Sequence, residues 1–225
     1  IHFTDSQNGW AVGGGSLGSY PNGVILKTSN GGINWNVQQT GSSILYSVFF
    51  IDSQNGCITG TDGYLRKTTN GGISWAQQTS TTNATLYSNY FTDSTTGWCA
   101  GLYGVTLKTT NGGLDWVLLS SGTRLIIYSI NFVNSQTGWV AGSGTPNLYK
   151  TTNGGTNWDS LAHLPINGLK SVYFADAQTG WTVGGATGGI GYKIFKTTDG
   201  GINWETQLSS TYSIGLHSVY FVNNQ

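Results

Sequence analysis

The chain has 225 residues and no net charge, with 8% charged residues, 13% aromatic residues and 35 glycines. Globular proteins carry about 25% charged residues, and disordered chains are poor in aromatic side chains. The composition therefore indicates a folded, uncharged protein without the basic face of a nucleic-acid-binding protein. No apolar run reaches the roughly 18 residues of a membrane-spanning helix. We expect neither nucleic acid as a partner nor insertion into a membrane.

Two phrases alternate along the chain. The Gly-Trp phrase first reads Phe3-Thr-Asp-Ser-Gln-Asn-Gly-Trp10, and the Asn-Gly-Gly phrase first reads Lys27-Thr-Ser-Asn-Gly-Gly-Ile-Asn-Trp35. Relatives of the first phrase begin at Phe50, Phe91, Phe132 and Phe174, and relatives of the second end at Trp75, Trp116, Trp158 and Trp204. Successive phenylalanines of the first phrase lie 41 to 47 residues apart. A period of this length indicates a propeller or a solenoid.

Residues 86–122 illustrate one repeat. Leu86–Phe91 is a β-rich aromatic run, residues 98–100 form a short second strand, residues 105–109 a third, and residues 116–119 a fourth. The Asn-Gly step between the third and fourth runs is a strong hairpin signal, because Asn and Gly tolerate positive φ angles. Four short strands without a helical period predict one blade of a β-propeller.

The whole chain is predicted to be one all-β domain, a β-propeller of four-stranded antiparallel blades. The repeats lie approximately at residues 1–40, 41–82, 83–123, 124–165 and 166–212, and residues 213–225 begin a further repeat. Val219–Gln225 repeats the pattern of Ile1–Gln7. The five visible repeats either close into a five-bladed ring or form part of a larger ring of about seven blades, which we favour.

The two cysteines lie near each other in the repeat. Cys57 occupies the column that holds Trp10 and Trp98 in other repeats, and Cys99 is one residue past that column. Adjacent strand residues face opposite sides of a sheet, so the two sulfurs could meet where two blades pack together. We predict two buried free thiols, because blades about 10 Å apart separate the backbones too widely for a disulfide. The alternative is a bridge between the two blades.

The Asn-Gly-Gly phrase, Thr-x-Asn-Gly-Gly-x-x-Trp, resembles the Asp-box of the bacterial neuraminidase repeat (BNR) family. All five copies fit, and Asn replaces the box Asp in every copy except Asp199. The resemblance implies a propeller in which the box forms the hairpin between the third and fourth strands, away from the ligand face. Asn can accept the same turn hydrogen bond, so the substitution leaves the predicted fold unchanged.

The Gly-Trp phrase before each box resembles the repeat of the photosystem II stability/assembly factors. This resemblance implies a protein that acts by binding a membrane-protein complex and is not an enzyme. Members of that family carry an arginine-rich patch, whereas this chain has only Arg66 and Arg124. The resemblance therefore predicts the repeat type but not that particular role.

Catalytic constellations are scarce in the sequence. Two arginines cannot form the three-arginine cluster of sialidases, and a glycosidase generally needs two carboxylates that flank the scissile bond. Most acidic residues recur at repeat positions, which leaves Asp62 alone in a loop expected to face a ligand. The three histidines, His2, His163 and His217, are dispersed and predict neither a Ser/His/Asp triad nor a zinc site. We expect no enzyme activity, no cofactor and no metal.

A binding surface is predicted on the loops after the second strands. These loops vary between repeats, and loops held by a rigid scaffold commonly carry function. Exposed tyrosines are efficient contact residues. The candidate ligand face consists of Tyr20, Asp62, Tyr64, Tyr103, Asn147 and Tyr192, with solvent-facing turns or strand-edge packing as the alternative interpretation of these residues.

The sequence thus predicts a non-catalytic binding or scaffolding module with a protein or glycan partner. The Asn-, Thr-, Ser- and Gly-rich composition favours a secreted or cell-surface location. A glycan-active hydrolase with its catalytic residues on missing blades, and a structural subunit of an extracellular assembly, remain the alternatives.

Overall fold

A computed structural model gives the fold for residues 1–17, 20–161, 163–166, 168–185, 191–212 and 215–221, with side chains over the same ranges except residues 16–22 and 120. The strands form five four-stranded sheets, each in sequential order. The first comprises β1 (His2–Phe3), β2 (Gly9–Leu17), β3 (Tyr20–Thr28) and β4 (Asn36–Gly41); the second β5 (Leu45–Phe50), β6 (Gly56–Gly60), β7 (Leu65–Thr68) and β8 (Ala76–Gln77); the third β9 (Leu86–Phe91), β10 (Gly97–Gly101), β11 (Val105–Thr109) and β12 (Val117–Ser120). The fourth comprises β13 (Ile127–Phe132), β14 (Gly138–Gly142), β15 (Leu148–Thr151) and β16 (Asp159–Ser160), and the fifth β17 (Leu169–Phe174), β18 (Gly180–Gly185), β19 (Tyr192–Thr197) and β20 (Glu205–Ser210).

Each sheet is an antiparallel meander, as predicted. In the fifth sheet Phe174 pairs with Gly180 and Leu169 with Gly184, and the same register recurs between Phe50 and Gly56 in the second sheet. The first strand of each sheet is called the inner strand below. The described residues contain no helix long and apolar enough to cross a membrane.

The chain divides into two compact units. The N-terminal unit comprises Ile1–Gly101 and Leu107–Leu118, and the C-terminal unit comprises Leu102–Thr106 and Leu119–Gln225. The core of each unit forms where the inner and second strands of one sheet pack against the next sheet. In the N-terminal unit the Trp10 ring stacks on Phe50 at 3.6 Å, and in the C-terminal unit Trp139 stacks on Phe174 at 3.5 Å. The repeated Trp is therefore a core residue that joins neighbouring sheets.

Two turns of each sheet lie on the same face. The turn between the inner and second strands carries the repeated Asp and is called the Asp turn, and the turn between the third and fourth strands is the Asn-Gly-Gly turn. A backbone bond joins them in every sheet, for example from the Gly71 amide to the Gln54 carbonyl at 2.9 Å and from Gly200 to Gln178 at 2.8 Å. The turns after the second and fourth strands lie at the other ends of these strands, which we call the loop face.

Cys57 and Cys99 are free thiols, and both are buried, which confirms the prediction. They lie in the second and third sheets, next to each other within the N-terminal unit. Burial raises the pKa of the Cys99 thiol, and a hydrogen bond with Cys57 raises it further. A buried thiol with a raised pKa carries little of the reactive thiolate.

Candidate functional site

The Asn-Gly-Gly turn uses its own side chains to satisfy its backbone. In the second sheet the Thr68 hydroxyl donates to the Asn70 side-chain oxygen at 2.9 Å and accepts from the Gly72 amide at 3.0 Å. The Asn70 oxygen also accepts the Ser74 amide at 3.0 Å. The turns at Thr28, Thr109, Thr151 and Thr197 repeat these bonds. The conserved chemistry of this turn therefore serves the hairpin itself.

Two of the lysines that open the Asn-Gly-Gly phrases, Lys27 and Lys150, join neighbouring sheets. The Lys27 amine lies 5.1 Å from the Trp10 ring centroid and donates to the Gly71 carbonyl of the next sheet at 3.0 Å. Lys150 makes the same pair of contacts with Trp139 and the Gly200 carbonyl. These lysines therefore join sheets and are not free to form a basic binding patch.

The Asp turns use their carboxylates in the same way. Asp93 accepts the amides of Thr95 and Thr96, each at 2.8 Å, and its pKa is lowered to about 2, first by the Thr95 hydroxyl bond. Asn134 replaces the carboxylate in the fourth sheet and accepts two amides at 2.9 and 2.8 Å. Because the Asn134 amide oxygen accepts the same turn amides as the carboxylates do, the repeated Asp has a structural role in the turn.

The loop face carries two tight turns with exposed apices. Asp62 and Gly63 occupy the turn between β6 and β7 with φ angles of 55° and 68°, and the Tyr64 amide closes it on the Thr61 carbonyl at 2.9 Å. Tyr103 has a φ of 60° at the corresponding position of the third sheet and is 68% exposed. Left-handed backbone at a residue other than glycine is unfavourable. The structure thus places Asp62 and Tyr103 at solvent-exposed apices, as the sequence predicted.

Two other predicted residues are less accessible, and a third lies outside the described side chains. Tyr64 is half-buried against the N-terminal core, and the Arg66 guanidinium lies 5.0 Å from its ring centroid. Partial burial raises the pKa of the Tyr64 hydroxyl, and the Arg66 charge opposes this rise. Tyr192 is partly buried at the start of β19, where it pairs with Gly185. Tyr20 begins β3, but its side chain lies outside the described residues.

The prediction that Asn147 faces a ligand is wrong. Asn147 is 1% exposed. Its amide nitrogen donates to the carbonyls of Leu164 and Ile166 at 3.0 and 3.1 Å, and its oxygen accepts the Leu164 amide at 3.2 Å. Buried backbone groups must be hydrogen-bonded. In this irregular loop the Asn147 side chain supplies the hydrogen bonds that a neighbouring strand would otherwise supply. It has a structural role and no contact with solvent.

A row of partly exposed tyrosines on the inner strands was missed by the sequence analysis. Tyr46 and Tyr87 are the second residues of β5 and β9, and their rings meet edge to face at 4.8 Å. Tyr46 is 44% exposed. Because Leu45 pairs with Gly60, just before the Asp62 turn, this part of β5 lies at its loop-face end. We call Tyr46 and Tyr87 the inner tyrosine pair.

The C-terminal unit has a related pair. Tyr128 is the second residue of β13, and the Lys170 amine, from the second position of β17, lies 3.5 Å from its ring centroid. A lysine above a tyrosine face is held by a cation–π interaction. The Tyr, Tyr, Tyr, Lys column is visible in the sequence, but the repeat alone does not show which of its positions stay exposed.

The inner strands also carry neutral aromatic side chains farther along. In the N-terminal unit His2, Phe49 and Tyr90 follow one another with ring-centroid distances of 4.5 and 5.1 Å. Burial lowers the pKa of His2 to about 4. His2 is therefore neutral near pH 7, and this row is suited to aromatic and apolar contacts. Among the described residues no three His, Cys, Asp or Glu side chains are grouped to hold a metal ion.

Several relatives are similar to this chain in sequence. A family model described as photosynthesis system II assembly factor YCF48 matches residues 36–125 and 68–169, together more than half of the chain. Photosystem II stability/assembly factor HCF136 of Arabidopsis thaliana is 34% identical over 68 residues, and its counterpart in Oryza sativa subsp. japonica is 35% identical over 68 residues. Each alignment covers 29% of this chain and 15% of the relative. The matched segment is thus a small part of the curated proteins.

Solved structures are similar over most of the chain. The structure of YCF48 bound to a D1 peptide has a TM-score of 0.62 and 16% identity, covering 98% of this chain and 84% of that one. An ancestral GH74 enzyme has a TM-score of 0.68 and 20% identity, covering 90% of this chain and 32% of that one. These likenesses concern the fold, and with the five four-stranded sheets they confirm the predicted β-propeller. Together with the repeated phrases and the family match, they show that the chain belongs to the photosynthesis system II assembly factor YCF48 family.

Proposed function

We propose that this protein binds a segment of another protein through the loop-face end of its inner strands, and that it is not an enzyme. The observation that carries the proposal is the inner tyrosine pair, Tyr46 and Tyr87, held partly exposed on two inner strands of the N-terminal unit. Strands position a side chain more rigidly than loops do. Tyrosine supplies a large apolar face and a hydroxyl at a low entropy cost.

A protein partner is supported by a relative of the same fold. That relative is YCF48, whose structure contains a bound D1 peptide. The chain has only 8% charged residues and no net charge, and the Arg66 guanidinium is already engaged by the Tyr64 ring and by the Gln77 side chain at 3.2 Å. We therefore expect recognition to depend on aromatic contacts and hydrogen bonds, with a weak dependence on salt.

The absence of catalysis is proposed because six of the nine acidic residues form hydrogen bonds within the repeated turns. The Asp turns engage Asp5, Asp52, Asp93 and Asp176, and the Asn-Gly-Gly turn of the fifth sheet engages Asp199. Asp115 bonds to Asn111 at 2.8 Å within another such turn. A glycosidase generally needs two carboxylates that flank the scissile glycosidic bond. The similarity to GH74 enzymes concerns the fold and keeps a glycan hydrolase as the alternative.

A binding titration tests the proposal. The D1 peptide of the YCF48 relative is titrated into the full chain by calorimetry, with Tyr46→Ala and Tyr87→Ala as variants. Each substitution should weaken binding by about tenfold or more, as loss of an aromatic anchor does. The matched control is Ile73→Ala on the opposite face, which removes a side chain that is 78% exposed and should leave affinity unchanged. Equal affinities for all four proteins would exclude the inner tyrosine pair as the site.

A second assay distinguishes the alternative functions. The chain is incubated with xyloglucan and other glycans, and both binding and reducing-end release are measured. We expect neither. Turnover that is abolished by Asp62→Asn would contradict the non-enzymatic proposal. Tight glycan binding without turnover would show that the partner is a glycan and not a protein. The secreted or cell-surface location is also a proposal, based on composition alone, and fractionation of the source cells would test it.

A further inference from the structure

The first and second sheets pack together through apolar side chains. The first sheet contributes Trp10 and Val12 from β2, and the second contributes Val48 from β5 and Ile58 from β6. These residues occupy four positions of the repeat: the Trp of the Gly-Trp phrase, the second residue after it, the fourth residue of the next inner strand, and the residue that follows the Trp position of the next sheet. The same four positions meet again between the second and third sheets of the N-terminal unit.

The interface between the second and third sheets differs at all four positions. Cys57 replaces the Trp, Thr59 replaces the valine two residues later, Asn89 replaces the inner-strand valine, and Cys99 replaces the isoleucine. All four side chains are buried, with exposed fractions between 0 and 4%. A buried polar group is unfavourable unless a partner compensates it. The four changes thus lie together where packing alone favours apolar residues.

The two sulfurs approach each other from opposite sheets. Cys57 faces the third sheet, as Trp10 faces the second, and Cys99 faces the second sheet, as Ile58 faces the first. The two thiols form a hydrogen bond with each other. A disulfide needs a sulfur–sulfur bond of about 2.05 Å, which is shorter than any hydrogen-bonded contact. A metal ion spans two sulfurs with two bonds of roughly the 2.3 Å that zinc makes to cysteine, and therefore suits a wider separation.

A positive charge lies beside Cys57. Lys67 of β7 pairs with Cys57, and in the other four sheets the equivalent lysine lies over the ring of the repeated Trp, at 5.1 Å from its centroid for Lys27. The second sheet lacks this ring. The Lys67 amine reaches the third sheet, where a Cβ placed on Gly112 would lie 3.5 Å from its nitrogen. An ammonium group near a cysteine favours the thiolate, which is the form that binds metals.

Asn89 reaches across the same interface and has an unused acceptor. It pairs with Cys99, and its amide nitrogen donates to the Cys57 carbonyl at 3.5 Å and to the Thr59 hydroxyl at 3.4 Å. Its side-chain oxygen is buried and has no hydrogen-bond partner among the described residues. Nearly all buried acceptors in proteins have a partner. A cation held between the two sulfurs would lie next to this oxygen and interact favourably with it.

We propose that Cys57 and Cys99 bind one soft monovalent metal ion, with Cu(I) as the expected ion, between the second and third sheets. Each thiol gives its proton to solvent, and the ion forms one bond to each sulfur without a change of oxidation state. Two thiolates and one monovalent ion carry a single negative charge, which the Lys67 ammonium balances.

The number of ligands selects the ion. Thiolates favour Cu(I), zinc and iron–sulfur clusters, but structural zinc and the clusters generally take four protein ligands. The described part of the chain holds no group of three or more His, Cys, Asp or Glu side chains that could bind a metal. Two sulfurs are sufficient for Cu(I), which accepts two-coordinate thiolate binding.

The sequence did not predict this site, because its histidines are dispersed and its cysteines are only two. The repeat brings Cys57 and Cys99 into adjacent columns, but the Lys67 charge and the unpartnered Asn89 oxygen become visible only where the two sheets pack. A bound ion would join β6 to β10 and stabilise the folded chain, since it favours the state that holds both sulfurs together. The site does not depend on the protein-binding function proposed above.

A Cu(I) titration tests the site. The reduced chain is titrated without oxygen against bicinchoninate, a chelator that competes for Cu(I) and reports it by colour. Wild type should bind one ion per chain. Cys57→Ser and Cys99→Ser should each weaken binding by at least about 100-fold, since even the loss of an outer partner of a metal ligand costs about 10- to 100-fold. No binding by wild type, or wild-type affinity in either serine variant, overturns the proposal.

The lysines supply matched variants that leave both sulfurs in place. Lys67→Met should weaken Cu(I) binding by about tenfold, and Lys67→Arg should restore it. Lys27→Met makes the same change beside Trp10 in the first sheet and should bind Cu(I) like wild type. Equal losses in Lys67→Met and Lys27→Met would contradict the proposed site.

Further measurements distinguish a folded site from two thiols in a flexible chain. Cu(I) binding should weaken in urea that unfolds the chain, and X-ray absorption of the folded copper complex should show two sulfur neighbours. Zn(II) at equal concentration should not displace Cu(I). Equal affinity in urea, four sulfur neighbours, which would require two chains per ion, or displacement by Zn(II) would each contradict the proposal.

Discussion

The Asn-Gly-Gly turns and the loop-face turns are both built on left-handed glycines, yet different groups hold them in place. Side chains hold the Asn-Gly-Gly turn, since the Thr68 hydroxyl and the Asn70 oxygen accept hydrogen bonds from its amides. Backbone groups hold the loop-face turn after β6. Gly63, with φ of 68°, lies so close to the Thr82 carbonyl that a Cβ would be 2.0 Å from that oxygen.

This difference explains why one face of the repeat is constant and the other varies. A turn that uses its side chains for its own hydrogen bonds must keep their identity from sheet to sheet. A turn held by backbone bonds and one glycine leaves its apex side chain free, so the apex is Asp62 in the second sheet and Tyr103 in the third. The left-handed backbone is unfavourable for either residue, but the backbone bonds of the turn do not fix which of them stands there. A position that can vary in this way suits a binding surface.

The largest effect should come from filling a loop-face glycine. Gly104→Ala adds a methyl group 2.0 Å from the Thr123 carbonyl at a φ of 70°. Left-handed backbone and forced displacement together should cost about 3 kcal/mol or more in the free energy of unfolding. Gly122→Ala is the matched control, because its φ is 72° but nothing lies within 4 Å, and it should cost about 1 kcal/mol. Urea denaturation followed by circular dichroism measures both, and equal losses would show that the backbone contact is unimportant.

Removing the hydroxyl of an Asn-Gly-Gly turn should have an intermediate effect. Thr68→Val keeps the shape of the side chain but leaves the Gly72 amide and the Asn70 oxygen without their 3.0 and 2.9 Å partner. Unsatisfied buried groups cost about 1–3 kcal/mol. The exposed Thr79 supplies the control, since Thr79→Val should change the unfolding free energy by less than about 0.5 kcal/mol. If both valine variants are equally stable, the turn does not depend on its side chains.

The smallest effect concerns the one turn with a carboxylate in place of the Asn amide. Hydrogen bonds from Asn203, first from its backbone amide, lower the pKa of Asp199 from 3.8 to about 2. A lowered pKa means that the ionised group stabilises the folded state above pH 3.8 and that this contribution is lost as the pH falls toward about 2. Asp199→Asn, which restores the residue of the other four turns, should therefore lose less stability on acidification.

Urea midpoints of wild type and Asp199→Asn near pH 7 and near pH 3 give the measurement. Asp115→Asn is a suitable comparison, because Asp115 accepts a bond from Asn111 in another turn while the turn oxygen remains an amide. An identical acid sensitivity of wild type and Asp199→Asn would mean that the carboxylate contributes nothing beyond what an amide does.

Much of the fold follows from local signals. The strands predicted around 86–122 agree with β9, β10, β11 and β12 to within one residue, because Gly and Asn-Gly steps mark each turn and aromatic runs mark each inner strand. The exposed apices Asp62 and Tyr103 were also predictable, since Asp-Gly and Tyr-Gly interrupt two β-rich runs. The blade number of a complete ring and the limits of the repeats stay predictions.

The candidate site was less predictable. Asn147 has the residue type and loop position of a contact residue, but long-range contacts with Leu164 and Ile166 bury it. Tyr46 has the pattern of a core aromatic, yet it is 44% exposed. Whether such a side chain is covered depends on the neighbouring sheet, and an alternating pattern within one strand does not encode this.

The repeat, the four strands of each blade and the turns that join them are local features, because they depend on backbone preferences and on contacts between residues near in the chain. Only the tertiary structure decided which repeated residues join one sheet to the next and which remain available. Trp10 and Trp139 are buried between sheets, whereas Tyr46 of the inner tyrosine pair is 44% exposed. The physical reason is that burial and pairing are properties of two surfaces, of which a local sequence specifies only one.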